Sequence, residues 1–283
     1  MLKIIKADER MKRTNDCVKA VIFGPAGVGK TYQARTLDPK STLFVDLQAG
    51  TLALGKDWKG DVLDIRSTAN DMGAHPWELA RAIALWLGGP DPADQGAYSR
   101  ASYEDVCKAF GDPAGHAQYT TLFVDSITVA SRMCFQWCQL QPEAFSDKTG
   151  KPDTRGAYGL LGREMIRWVT QLQHTPKNVI LVGILEQQED ELKRKHWEPQ
   201  IEGAKTGREL PGIFDLVMTL QNFEAEDKTQ YRAFVTQQQN PWGYPAKDRS
   251  GTLELQEPAN LGKVLEKIRA GKRIDTKIGR AHV

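Results

Sequence analysis

VIFGPAGVGKT, residues 21–31, decides the fold. Apolar residues run straight into a segment with glycines at 24, 27 and 29, and a lysine and a threonine follow at 30 and 31. Gly24, four residues, then Gly29-Lys30-Thr31 is the G-x-x-x-x-G-K-[ST] spacing of a phosphate-binding loop. The flanks supply the context that the spacing needs. Residues 19–23 read as a short buried strand, and residues 31–37 can open a helix. Glycine lets the backbone curl so that several N–H groups point inward at a polyphosphate, and the helix N-terminus adds partial positive charge. The expected cradle is Gly24, Pro25, Ala26, Gly27, Val28 and Gly29, continued by Lys30, Thr31 and Tyr32. Lys30 is placed to reach the β- and γ-phosphates of ATP, and the Thr31 hydroxyl to hold Mg²⁺. A strand–helix turn without a ligand is the alternative, and the complete spacing in this context disfavours it.

The 283 residues are 40% hydrophobic and 26% charged, an ordinary globular composition with length for a sizeable core. The net charge of +2 gives no bulk argument for nucleic acid, so any basic surface is local. The cysteines, Cys17, Cys107, Cys134 and Cys138, form no C-x-x-C pair and no metal spacing. Reduced thiols in a cytoplasmic setting fit best. Neither a signal peptide nor a membrane-length apolar run is present, so no membrane partner is expected. The last seven residues, KIGRAHV at 277–283, match an in-frame read of a sequencing adapter and are expected to be a non-native tail. Residues 1–276 are read as a single domain.

Beyond the loop, strands are expected at 41–46, 61–65, 119–124 and 178–185, with helices at 76–87, 103–110, 127–140 and 160–173. Residues 141–159 read as a polar, glycine-rich loop. This alternation predicts an α/β fold: a P-loop NTPase core with a mostly parallel central sheet flanked by helices. Short strands at 216–220, 231–236 and 252–255 predict antiparallel pairing toward the C-terminus, and residues 259–270 a closing helix.

TLFVDS, residues 121–126, supplies the second half of a nucleotide site. Apolar residues end in Asp125, as in a Walker B strand that lies beside the phosphate-loop strand and delivers a carboxylate to Mg²⁺. Asp125 or Ser126 capping the next helix is the plainer reading of the same residues.

Together with FVDLQAG at 44–50, these motifs resemble the RecA-type ATPase core. HWEPQIEGAKTGRELPGIFDLVMTL at 196–220 and YPAKDRSGTLELQEPANLGKVLEKI at 244–268 are similar to the phage-encoded RecA/RadA-like ATPases of the Sak recombination class. The resemblance spans roughly residues 2–274. It implies an oligomeric, ATP-dependent protein that acts on single-stranded DNA in phage recombination or replication, as a ring or filament. A phage single-strand-binding protein is a further expected partner. In RecA-type proteins a glutamate that polarises the attacking water stands where this chain has Gln48. An amide orients water but is a poor base, so slow hydrolysis is expected, with Asp46 or Glu186 as possible substitutes. Glu186 and Gln187 lie where such proteins keep a polar sensor of the γ-phosphate. Lys193, Arg194, Lys195 and Trp197, followed by Lys205 and Arg208 in a glycine-containing loop, occupy the DNA-binding region. A solvated charged hairpin is the competing reading. Lys247 and Arg249 resemble a finger that reaches a neighbouring subunit's γ-phosphate, and a polar β-turn is the alternative.

Overall fold

β1 (Lys19–Gly24) is buried along its whole length and stops where the glycines begin. Around it, the computed structural model describes residues 17–189 and 191–272, with residues 4, 6 and 7. The tail at 277–283 lies outside the described residues. After β1 come a six-residue 3-10 helix (Thr31–Thr36), β2 (Thr42–Asp46), β3 (Asp61–Asp64), α1 (Ile65–Met72), α2 (Pro76–Gly88) and α3 (Arg100–Phe110). β4 (Thr121–Asp125), α4 (Ile127–Cys138), α5 (Thr154–His174), β5 (Asn178–Glu189), β6 (Lys195–Pro199) and α6 (Ala204–Ile213) follow. The chain closes with β7 (Leu216–Glu224), β8 (Gln230–Val235), β9 (Lys247–Asp248), β10 (Gln256–Pro258) and α7 (Leu261–Ala270).

The main sheet runs β10-β8-β7-β1-β5-β4-β2-β3. From β7 to β3 all neighbours are parallel, while β8, β10, β6 and β9 pair antiparallel. The expected α/β architecture is therefore present. One expectation is corrected: the Asp125 strand is not beside β1. β5 lies between them, with Leu181 opposite both Val21 and Val124.

Both faces of the central strands are covered, which is why β1, β4 and β5 read as continuous apolar runs. On one face Val21, Phe23, Val124 and Leu181 pack against Trp77 of α2 and Met165 and Trp168 of α5. On the other, Ile22, Phe123, Val182 and Met218 pack against Ala34 and against Val264 and Leu265 of α7.

Local chemistry explains where elements depart from the sequence pattern. The helix after the phosphate loop is a short 3-10 turn. Thr36 Oγ1 donates to Gln33 O at 2.8 Å, and the Leu37 N–H goes to Ala34 O. The N-terminus of α7 then docks on it, Leu261 N–H on Gln33 Oε1 and Gly262 N–H on Thr36 Oγ1. α5 starts six residues early because Asp153 caps it, accepting from Arg155 N–H at 3.0 Å, so the expected loop is shorter. The glycine-containing segment carrying Lys205 and Arg208 is helix α6, not loop. Burial of Leu210 overrides its weak propensity. The strand expected at 252–255 is replaced by β10, because the Asp248 carboxylate takes the Thr252 and Leu253 N–H groups into a turn.

Candidate functional site

Parallel strands bring residues far apart in sequence to one edge of the sheet. Gly24 stands opposite Ile184, and Asp125 stands opposite both Val182 and Asp46. Gly24 has no room for a side chain. A Cβ there would fall 2.6 Å from Leu220 O and 2.9 Å from Val28 Cγ1. Gly27 and Gly29 adopt φ of +77° and +92°, which other residues rarely do. The loop curls back over itself, and Lys30 Nζ donates to Gly24 O at 2.9 Å and to Pro25 O at 2.8 Å. Burial pulls the Lys30 ammonium down to about 8, against the opposing pull of the Asp125 carboxylate. Tyr32 is exposed, with the Arg35 guanidinium over its ring.

Thr31 Oγ1 donates to Asp125 Oδ2 at 2.6 Å, so the two expected Mg²⁺ ligands are in contact. Gln48 Nε2 donates to Asp125 Oδ1 at 2.7 Å, and Ser126 Oγ donates to Gln48 Oε1 at 3.2 Å. Burial pushes the Asp125 carboxyl up, the Thr31 hydrogen bond pulls it down, Asp46 adds to the rise and Lys30 opposes it. Asp46 builds the turn that presents Gln48: its Oδ1 accepts the Gln48 and Gly50 N–H groups at 3.0 and 3.1 Å. A carboxylate so engaged is poorly placed to act as the substitute base.

Glu186 and Gln187 lie beyond the edge, on the stretch of β5 that pairs with β6. Glu186 accepts from Gln200 Nε2 at 2.5 Å and lines an open cavity of about 220 Å³ with Arg132, Glu198 and Gly207. Gln187 is exposed and stands opposite Trp197. The bonds of Glu186 lead toward β6 rather than to the phosphate loop.

The β5–β6 hairpin carries Lys193, Arg194 and Lys195, all exposed, with Lys193 in a left-handed turn at φ +59°. Trp197 is half-buried and rests on Tyr244, ring centroids 5.0 Å apart. Arg208, on α6, has its Nε 4.0 Å from Glu198 Oε1, and Lys205 belongs to the same helix.

Lys247 and Arg249 lie at the opposite edge from the phosphate loop. β9 pairs with the start of β7, beside the start of β1. Lys247 Nζ donates to Gly212 O and Phe214 O at 2.9 and 2.8 Å, closing the C-terminal end of α6. Burial lowers its pKa, neighbouring Arg249 adds to the drop, and Asp215 opposes it. Arg249 binds Asp215 Oδ1 and Gly212 O, both at 3.2 Å. Within one chain, neither cation meets the phosphate loop.

One residue at the loop carries no sequence motif. The Arg232 guanidinium of β8 lies against Gly29. A Cβ built on Gly29 would overlap Arg232 Nη1 and fall 3.2 Å from its Cζ.

This arrangement of loop, Thr31 and Asp125 agrees with comparison to known families. The AAA domain model matches residues 17–250. The chain belongs to the AAA domain family. Membership in this family of P-loop ATPase domains implies nucleotide use. No curated protein matches the chain. Among solved structures, flagellar accessory protein FlaH from Methanocaldococcus jannaschii aligns with 10% identity over 82% of each chain, at a TM-score of 0.34. Among the described residues, no helix is long and apolar enough to cross a membrane and no cluster of three or more His, Cys, Asp or Glu could hold a metal.

Proposed function

We propose that this AAA domain protein binds ATP with Mg²⁺ at Gly24–Thr31 and hydrolyses it slowly, as an oligomer acting on single-stranded DNA in phage recombination or replication. The observation that carries the nucleotide reading is the Thr31–Asp125 contact at the foot of a loop curled at Gly27 and Gly29. The residues fit the ligand. A hydroxyl and a carboxylate are the hard oxygen donors that Mg²⁺ selects. Lys30, held on backbone carbonyls, is a desolvated cation for which phosphate oxygens are stronger acceptors. Bound Mg²⁺ would supply charge neutralisation on the phosphate oxygens. Lys30 would exchange the Gly24 and Pro25 carbonyls for phosphate, and Thr31 and Asp125 would turn their oxygens to the metal. Gln48, hydrogen-bonded to Asp125 and Ser126, would orient water without taking its proton, which would keep turnover slow.

Support for a DNA partner is the exposed run Lys193–Lys195, on a hairpin that extends past the phosphate-loop edge of the sheet. Fluorescent-nucleotide titration, ATP turnover with and without single-stranded DNA, and particle mass by light scattering test the proposal together. Absence of ATP binding would refute the nucleotide reading. ATP binding and turnover that ignore DNA would refute the DNA partner. A second reading, a nucleotide-switched DNA-binding or annealing accessory with little turnover, is favoured by the Gln48 amide occupying Asp125 Oδ1. Tight ATP binding, DNA affinity that changes with nucleotide and negligible hydrolysis would select it.

A further inference from the structure

We propose that Arg232 is a second phosphate-binding cation of this site, supplied by β8 of the same chain and directed at the terminal phosphate of the bound nucleotide. The proposal rests on the nucleotide reading above. Its basis is where the β7–β8 hairpin places one side chain. β7 runs parallel to β1, with Thr219 opposite Phe23, and continues past the end of β1 to Glu224. β8 then returns antiparallel, with Asn222 opposite Arg232 and Leu220 opposite Phe234. Phe234 is fully buried in the core that also holds Val28 of the phosphate loop. Side chains two apart share a face of a strand, so Arg232 projects on that same face, one step closer to the hairpin tip and beyond the edge of the core. There its guanidinium comes to rest on Gly29.

The side chain is held in that position. Arg232 Nε donates to Asn222 Oδ1 at 3.2 Å, across the hairpin. That bond uses the near end of the guanidinium, and Nη1 is the atom nearest the position that a Cβ on Gly29 would take. Among the described residues, no carboxylate forms an ion pair with Arg232, although it is exposed and acidic side chains are plentiful in the chain. A planar fork of donors beside a phosphate loop matches phosphate geometry better than it matches any other partner there. Lys30 and a bound Mg²⁺ leave part of the charge of a triphosphate uncompensated, and the terminal phosphate carries the largest share. A cation at Gly29 therefore favours a triphosphate over a diphosphate. It also ties the β7–β8 hairpin to the identity of the nucleotide.

Titration with fluorescent ATP and ADP analogues in the presence of Mg²⁺ tests this, using the wild type, Arg232→Ala, Arg232→Lys and Asn222→Ala. Arg232→Ala is expected to weaken ATP binding about tenfold or more and ADP binding by no more than about twofold. Arg232→Lys should recover part of the ATP affinity. Asn222→Ala, which only frees the arginine, should show the same ATP-selective loss at smaller size. Because the residue belongs to the same chain as the loop, the effect should persist on dilution to the monomer. Equal losses for ATP and ADP, no loss for either, or an effect that vanishes on dilution would each overturn the assignment. A wild type that binds neither nucleotide would instead refute the nucleotide reading itself. Thermal melting without nucleotide separates a folding defect from these outcomes, and should a defect appear, Arg232→Lys carries the comparison.

Discussion

Raising the pH should weaken nucleotide binding through Lys30 alone. In the nucleotide-free chain, burial holds its ammonium down to about 8. A bound triphosphate places negative charge beside it and favours the protonated form, so binding raises that value. Affinity is then fully present below about 8 and falls as pH rises from there toward the value in the complex. With a free value of about 8, roughly nine-tenths of Lys30 is charged at pH 7 and roughly one-tenth at pH 9, so Kd should rise about tenfold, about 1.4 kcal/mol. Stability without nucleotide should move the other way. A lysine whose folded value is depressed binds fewer protons folded than unfolded, so stability increases as pH rises from about 8 toward the unfolded value of 10.5. The assay is fluorescent-ATP titration across pH 7 to 9 at constant Mg²⁺ and salt. Lys30→Arg keeps its charge across this range, so its affinity, weaker from the change of shape, should stay flat. A flat wild-type profile would refute the desolvated-lysine argument. An equal fall in Lys30→Arg would assign the titration to another group.

Gln48→Glu replaces the donor 2.7 Å from Asp125 with a second carboxylate, and should cost the nucleotide-free protein about 1–3 kcal/mol at pH 8. Like charge raises the folded pKa of the pair, so this stability should return as pH falls, and melting curves from pH 5.5 to 8 read it; with Mg²⁺ and ATP, turnover should rise. Lys247→Met leaves the Gly212 and Phe214 carbonyls without their donor and should cost about 1–2 kcal/mol by denaturant titration, with ATP affinity of the monomer unchanged. A trans role for Arg249 would appear separately, as DNA-stimulated turnover lost in Arg249→Ala and partly restored by mixing with Lys30→Ala. Trp197→Ala removes the ring resting on Tyr244 and should cost about 1–3 kcal/mol in stability, whereas a base-stacking role would cost a similar amount in DNA affinity, so paired melting and DNA titrations separate the two.

The phosphate loop was legible because its chemistry is local. Gly24, Gly27 and Gly29 answer to backbone demands within a few residues, and Lys30 and Thr31 follow at fixed offsets. Asp125 was legible as the end of an apolar strand, but its neighbour was not. Nothing in residues 121–125 says that β5 inserts beside β1, because strand order depends on how the crossovers pack across the whole sheet. Helix α6 was hidden for a related reason. Gly207, Pro211 and Gly212 argue against a helix locally, and the burial of Leu210, which overrides them, is a tertiary fact. The roles of Lys247 and Arg249 within the chain were equally out of reach: the carbonyls they bind lie more than thirty positions upstream.

Arg232 shows the limit most clearly, and also the signal that comes nearest to passing it. Two hundred residues of sequence separate it from Gly29, and an arginine in a strand of the pattern QYRAFV reads as ordinary surface charge. What joins the two is a chain of pairings. β7 must lie beside β1, must overrun it, and must turn back in the register that sets Asn222 against Arg232. Only the last of these has a sequence trace: the polar tip at 225–229 between two strand-like runs fixes a hairpin, and a hairpin fixes which residues face each other. The first two follow from packing that no local pattern encodes. Gly24 records their result, since its close approach to Leu220 O is what lets β7 pass the phosphate loop near enough for β8 to reach it. A larger residue at position 24 would therefore disturb more than the curl of the loop. It would push β7 outward, and with it the hairpin that carries Arg232, so the glycine and the arginine belong to one structural requirement.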